Sequence, residues 1–233
     1  MGKMQKYLAE ALGTFALVVG GSFALVSALG SGGGSAGVVA VALGFGLSLL
    51  IGLYAFGEVS GGHFNPAVSL AMFLERRLSM DDLIGYWVAQ FAGAIGASLV
   101  VLVAFDSDAV ARTTTRSGDN WAGIVVEVVM TALFVAVILQ VTRSDTYGRQ
   151  ALTVIPLALV AIHVAALQIS GSSVNPARSF GPALIGTEFG DFWIYLIAPP
   201  IGAVLGWIAH KIVAQGDMNL RDDLEAMRGG AST

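Results

Sequence analysis

The chain has 233 residues, of which 55% are hydrophobic and only 12% are charged. Because about a quarter of the residues in a soluble domain are charged, this composition predicts a membrane protein. The formal net charge of −4 gives no reason to expect a nucleic-acid partner, and the chain has no cysteine for a disulfide or a thiolate metal site.

Six apolar segments are long enough to cross a bilayer as helices, which takes about 20 residues. They lie near residues 7–30, 36–56, 82–105, 121–142, 150–169 and 192–214. The first lacks a small-residue cleavage pattern, so we expect a retained span rather than a signal peptide. Thr113 to Thr115, in the connection after the third span, are expected to form a solvated turn. Residues 215–233 are predicted to form a cytoplasmic tail.

Two stretches between the spans nearly repeat each other, Ser60 to Val68 and Ser170 to Arg178. In each, a run containing Gly and Ser ends in Asn-Pro-Ala. Asn is a favoured helix N-cap and Pro suits the first helical position, so each stretch predicts irregular backbone that leads into a helix. The two motifs are Asn65, Pro66, Ala67 and Asn175, Pro176, Ala177.

The apolar segments after the motifs, Pro66 to Leu74 and Pro176 to Leu184, are short. A helix of this length spans about 13 Å, less than half of a bilayer core of about 30 Å. Two interrupted segments in matching positions of two halves are a pointer to a functional site near the middle of the membrane.

The two halves also resemble each other in their first spans. Residues 9–15 and 126–132 both place a Glu four residues before a Thr, on one helical face. Because each half holds an odd number of spans, the second half must be inverted. We therefore predict one membrane domain, residues 1–233, with inverted repeats at about 5–105 and 121–214. The two half-helices then enter from opposite faces and their N-termini meet.

Basic residues predict the orientation of the chain. If the N-terminus is inside, only Arg112, Arg116 and Arg178 of the 12 Lys and Arg residues fall outside. Both termini are therefore expected in the cytoplasm. Arg178 follows the second motif directly, and a charge at membrane depth is expected to face a cavity. For His163, in the fifth span, packing and pore-lining roles are equally open.

Two helix N-termini at one point produce a positive potential that opposes cations and protons. If the side-chain oxygens of Asn65 and Asn175 cap their helices, their NH2 groups are left free to donate into a passage. Irregular backbone in a membrane is tolerated where it lines a water-filled cavity. The backbone carbonyls predicted to line the pore belong to Gly61, Gly62, His63, Phe64, Gly171, Ser172 and Ser173. Glu10 and Glu127 are expected to brace these loops rather than to relay protons.

From Glu10 to Trp207 these features resemble the major intrinsic protein family, the aquaporins and aquaglyceroporins. The most specific matches are the stretch Ser60 to Val68 and the stretch Asn175 to Pro182. The resemblance implies an all-α membrane protein, a right-handed bundle of six transmembrane helices with two re-entrant half-helices. It also implies a homotetramer in the lipid membrane with one pore per subunit, and no cofactor or metal.

The resemblance places the family's narrow selectivity filter on Phe45, His163, Ser172 and Arg178. Phe45 and His163 are the choices of the water-channel branch, as are Ser179 and Ala183, and in that reading the imidazole and the guanidinium both offer donors. Two positions depart from the water-channel pattern: Ser172 replaces a larger Thr or Cys, and Leu196 is more typical of glycerol channels.

The leading interpretation is a passive water channel in the cell membrane that excludes ions and protons. The nearest alternative is a broader facilitator for glycerol, hydrogen peroxide or ammonia. A proton-coupled transporter that uses Glu10 or Glu127 is less favoured. An enzyme is disfavoured because the sequence suggests no nucleophile–base pair, and the histidines His63, His163 and His210 lie far apart.

Overall fold

The computed structural model describes residues 2–30, 34–114, 118–143 and 145–215. The predicted tail beyond residue 215, Arg116 and Thr115 lie outside the described residues. The described residues form helices and no strand. In chain order the helices are α1 (Lys3–Gly30), α2 (Gly34–Gly52), a π-helical turn (Leu53–Gly57), α3 (Glu58–Ser60), α4 (Pro66–Leu74), α5 (Met80–Ala104), α6 (Ser107–Thr113), α7 (Asn120–Val141), α8 (Asp145–Ser170), α9 (Pro176–Ile185) and α10 (Phe192–Gln215).

The six predicted spans are confirmed. They correspond to α1, to α2 continued through α3, and to α5, α7, α8 and α10, each long and apolar enough to cross a membrane. Their starts follow ordinary capping rules. Ser79 caps α5 by accepting a hydrogen bond from the Asp82 N–H, and Asp119 caps α7 by accepting from Trp121 and Ala122.

The two halves pack in the same way. In the first half α1 packs against α2 and α5, and in the second half α7 packs against α8 and α10. Glycines bring the inner helices of each half together. A Cβ atom placed on Gly93 of α5 would lie 2.1 Å from the Ala11 carbonyl oxygen, and one on Gly202 of α10 would lie 2.4 Å from that of Val128. Only residues without a side chain allow helices to approach this closely.

Each half-helix crosses to the other half of the molecule. α9, from the second half, packs against α5, whereas α4, from the first half, packs against α10. The two short helices therefore tie the halves together, and the loops that precede them meet at the centre of the bundle.

The connection between α5 and α7 differs from the expectation of a solvated turn at Thr113. It contains the short helix α6, which begins because Asp106 accepts a hydrogen bond from the Ala109 N–H. Thr113 is 2% exposed, and its hydroxyl donates to the Val110 carbonyl. The expectation was wrong for Thr113, since the polar residues of this connection include an N-cap and do not all face solvent.

Candidate pore

Both half-helices begin with the same cap. The Asn65 side-chain oxygen accepts from the Ala67 N–H at 2.9 Å, and the Asn175 oxygen accepts from Ala177 at 3.0 Å and from Arg178 at 3.2 Å. Pro66 and Pro176 occupy the first helical positions. Each Asn-Pro-Ala motif therefore presents the positive end of a helix dipole to the centre of the molecule.

The two caps are joined to each other by reciprocal hydrogen bonds. The Asn65 NH2 group donates to the Val174 carbonyl at 2.8 Å, and the Asn175 NH2 group donates to the Phe64 carbonyl at 2.9 Å. Both NH2 groups are predicted to be free, but each donates one N–H to the opposite loop and keeps the other. The Phe64 carbonyl, expected to line the pore, is correspondingly the acceptor for Asn175.

A buried carboxylate lies behind each loop. Glu10 accepts from the Ser60 hydroxyl at 2.6 Å and from the N–H groups of His63 at 2.9 Å and Phe64 at 2.7 Å. It also accepts from the Gln90 side-chain NH2 at 2.7 Å. Glu10 is fully buried, so these donors take the place of water around its charge.

Glu127 repeats the arrangement in the second loop. It accepts from the Ser170 hydroxyl at 2.7 Å and from the N–H groups of Ser173 at 2.8 Å and Val174 at 2.7 Å. Phe64 and Val174 hold equivalent positions, and both adopt left-handed backbone with φ of 48° and 46°. Such backbone is unfavourable for a bulky residue, and each carboxylate bonds the N–H of that residue.

Two tyrosines support the same loops from outside. The Tyr86 hydroxyl donates to the Ser60 carbonyl, and the Tyr195 hydroxyl donates to the Ser170 carbonyl, both at 2.6 Å. Sequence reasoning missed these contacts and the role of Gln90. The available signal was a polar side chain in the middle of an apolar span, four residues after Tyr86.

A cavity of about 230 Å³, which we call the main cavity, runs past these loops. One end lies at Arg77 and the other at Arg178. Its walls combine apolar side chains such as Val68 with the polar groups of the loops. The predicted pore residues that line it are Phe45, Gly61, Gly62, His63, Asn65, His163, Ser173, Asn175 and Arg178.

A second cavity of about 320 Å³ also has Arg178 in its lining. Arg112, Thr114 and Gly171 contribute to its lining. Arg178 lines both cavities, so they adjoin at this residue. Ser172, predicted for the filter and to line the pore with its carbonyl acceptor, lines neither of these two cavities and is fully buried, with a left-handed φ of 47°.

Three of the predicted filter residues lie together on the wall of the main cavity. The rings of Phe45 and His163 stack with their centroids 4.7 Å apart. The Arg178 guanidinium carbon lies 4.7 Å from the Phe45 centroid, a cation–π distance. All three side chains are buried. This part of the main cavity thus has a cation held against an aromatic face.

The hydrogen bond of His163 defines its tautomer. Nδ1 lies 3.0 Å from the Leu159 carbonyl oxygen, which can only accept, so Nδ1 carries the hydrogen. In the neutral ring Nε2 is then an acceptor. The resemblance implies a donor from the imidazole, and this geometry corrects that expectation: the neutral His163 offers an acceptor beside the donors of Arg178.

Two loops that meet cap to cap inside a six-span bundle, with two cavities that adjoin at a buried arginine, define a membrane channel. The family profile described as Major intrinsic protein matches residues 1–210. The chain belongs to that family.

Its relatives carry two kinds of name. The chain is 40% identical to "Glycerol uptake facilitator protein-like 6" of Lactiplantibacillus plantarum, over 92% of this chain and all of the relative. It is 37% identical to "Aquaporin Z" of Brucella melitensis, over 89% of this chain and 97% of the relative. Among solved structures, the aquaglyceroporin of Plasmodium falciparum superposes with a TM-score of 0.82 at 22% identity, over 91% of this chain and 97% of the other, a likeness that concerns the fold.

Proposed function

We propose that this protein is a passive channel for water that excludes ions and protons. The observation that supports this most strongly is the cluster of Phe45, His163 and Arg178 on the wall of the main cavity. An aperture closed in by two stacked rings and a guanidinium group favours a small neutral molecule that can both donate and accept hydrogen bonds. Water has these properties.

The exclusion of protons would arise at the two Asn-Pro-Ala motifs. The remaining N–H of Asn65 and that of Asn175 would both donate to the oxygen of one water molecule. Its hydrogens would then point away along the passage, so that no continuous chain of hydrogen bonds crosses this point. The positive helix ends and the Arg178 charge would add an electrostatic barrier to cations.

The predicted site residues take their roles in this proposal. Carbonyls of the first loop and of Ser173 would accept hydrogen bonds from water along one wall, opposite apolar side chains such as Val68. Glu10 and Glu127 would fix the loops. Because both carboxylates already accept hydrogen bonds from backbone and hydroxyl donors, neither is well placed to take up a coupled proton, which weighs against a proton-coupled transporter.

Stopped-flow light scattering on reconstituted vesicles tests the proposal. A step in an impermeant osmolyte should cause fast shrinkage with a low activation energy, because water would cross through a preformed passage. Shrinkage at the rate of protein-free vesicles would overturn the proposal.

A broader facilitator of small neutral solutes is the second candidate. The relative named as a glycerol uptake facilitator-like protein favours it. The small side chain of Ser172 favours it as well, and so does Leu196, which is more typical of glycerol channels. The His163→Gly variant distinguishes the two. If His163 sets the aperture, the parent should not re-swell in glycerol and the variant should. Equal glycerol flux in both would show that His163 does not set selectivity.

We further propose a homotetramer with one pore per subunit in the lipid of the cell membrane, with both termini in the cytoplasm. The single domain would consist of inverted repeats at about 5–105 and 121–214. The equivalent glycine contacts of Gly93 and Gly202 and the equivalent capping of the two half-helices support this division.

A further inference from the structure

Among the described residues of the two loops that end at the caps, 60–65 and 170–175, His63 is the one titratable side chain that lines the main cavity, and the proposed function gives this side chain no task. It stands two residues before the Asn65 cap. Its ring is half-buried and packs edge-to-face on Tyr86, with centroids 5.1 Å apart. Nδ1 lies 3.1 Å from the Ser69 hydroxyl oxygen. Which of these two atoms donates the hydrogen determines what His63 presents to the cavity.

The orientation of Gln90 is the first step. Its side-chain nitrogen lies 2.7 Å from a Glu10 carboxylate oxygen, which can only accept, so this end of the amide must be the NH2 group. The same nitrogen lies 2.9 Å from the Ser69 hydroxyl oxygen. One N–H of Gln90 therefore goes to Glu10 and the other goes to Ser69.

Ser69 then has its own hydrogen left to donate. The side chain is fully buried, and buried hydroxyl groups are almost always hydrogen-bonded. Within the described part of the chain, the acceptor in reach is Nδ1 of His63. The chain of donors thus runs from Gln90 to Ser69 to His63, and Nδ1 is an acceptor.

We propose that Gln90 and Ser69 are positioning residues that hold neutral His63 in the tautomer with its hydrogen on Nε2. That edge of the ring lies beside Gly61, which also lines the main cavity; a Cβ placed on Gly61 would be 3.4 Å from Nε2. The first loop therefore presents an N–H donor to the passage. His163, whose hydrogen is on Nδ1, presents an acceptor at the Arg178 end.

The second loop has the same supporting hydrogen bonds but lacks this chain of donors. Ser179 holds the place of Ser69, four residues after the cap, and its hydroxyl contacts Ser173, the counterpart of His63. The counterpart of Gln90 is Pro199, four residues after Tyr195 as Gln90 is four after Tyr86. Proline has no side-chain donor. The chain of hydrogen bonds from Gln90 through Ser69 to His63, which we call the relay, is thus specific to the first loop.

The two imidazoles would give the passage opposite polarity at two places. A water molecule near His63 would be held through its oxygen, and one near His163 through a hydrogen. This consequence for permeation rests on the proposed water channel, but the tautomer itself does not, so the two can fail separately.

Solid-state NMR of the full chain in lipid vesicles, with ¹⁵N-labelled histidine, reads the tautomer directly. The signals are assigned with His63→Gln and His163→Gln, each of which removes one of them. In the parent, the expected result is a protonated Nε2 and a bare Nδ1 for His63, and the reverse for His163. A protonated Nδ1 on His63 in the parent overturns the proposal without any variant.

Three variants test the relay. Ser69→Ala removes the hydroxyl, and the His63 spectrum should lose the single Nε2–H form and gain signal from the Nδ1–H form. Ser69→Thr keeps the hydroxyl and should restore the parent spectrum. Ser179→Ala is the matched change in the second loop and should leave the His63 signals where they are. An unchanged His63 spectrum in Ser69→Ala would show that the hydroxyl does not set the tautomer.

Discussion

The loop before α4 and the loop before α9 are held by the same set of hydrogen bonds, which we call the frame. They differ in the side chains that they direct into the cavities. In each loop a tyrosine hydroxyl donates to the carbonyl of the first serine, a buried carboxylate accepts from two N–H groups, and an asparagine caps the helix. The frame fixes the backbone in the same unusual conformation on both sides, including left-handed residues at Phe64 and Val174.

The differences lie in the side chains that the frame points into the cavities. Three residues after the cap, the first loop has Val68 and the second has Arg178. Two residues before the cap, the first has His63 and the second has Ser173. A backbone that is held rigidly by buried groups can therefore carry an apolar wall on one side and a charged aperture on the other without a change of fold.

Removing the carboxylate behind either loop should have the largest effect on stability. In Glu10→Gln and Glu127→Gln the new NH2 group would face N–H donors, and each buried donor left without an acceptor costs about 1–3 kcal/mol. Glu10→Gln should be the more destabilising, because the Gln90 NH2 group also loses its acceptor. Thermal unfolding in detergent measures the loss, with the exposed Glu58→Gln as control. If either variant unfolds like the control, the shared frame does not depend on its carboxylate.

Exchanging the third residue after the cap should change selectivity more than stability. Arg178→Val copies the first loop into the second and removes both the positive charge and the contact with Phe45. Glycerol and proton fluxes should both rise in reconstituted vesicles. Arg178→Lys retains the charge without the planar guanidinium, so it should keep protons out while it admits more glycerol. Low proton flux in Arg178→Val would contradict the barrier assigned to this charge.

The tyrosines should give the smallest and the most equal effects. Tyr86→Phe and Tyr195→Phe each remove one hydroxyl that donates to a loop carbonyl at 2.6 Å. Each should lower the free energy of unfolding by about 1 kcal/mol, the usual net value of one hydrogen bond. The denaturation midpoint of each purified variant provides the comparison. A large loss in only one of them would show that the two frames are not equivalent.

Much of the fold follows from local sequence signals. The spans are continuous apolar runs, and α4 begins and ends at the predicted residues, Pro66 and Leu74, with Asn65 as the cap at its start. α9 extends one residue beyond the prediction, to Ile185. These features depend on neighbouring residues, so the sequence is sufficient to predict them.

The interior of the candidate pore depends on contacts between distant residues. The donation from Asn65 to Val174 joins residues 109 positions apart, and nothing in either loop alone indicates it. Gln90 looks like a single polar residue in an apolar helix until Glu10 and Ser69 are brought beside it. The acceptor character of His163 follows from a carbonyl one turn earlier in its own helix, but only once the ring orientation is known.

The most direct test of the whole account is to measure water and proton permeability on the same vesicles containing the unmodified chain. Osmotic shrinkage gives the first, and an internal pH dye after a small pH step gives the second. The account predicts water flux far above that of protein-free vesicles and proton flux equal to theirs. Fast dissipation of the pH step together with fast shrinkage would contradict it, because the two capped half-helices would then not interrupt the chain of water molecules.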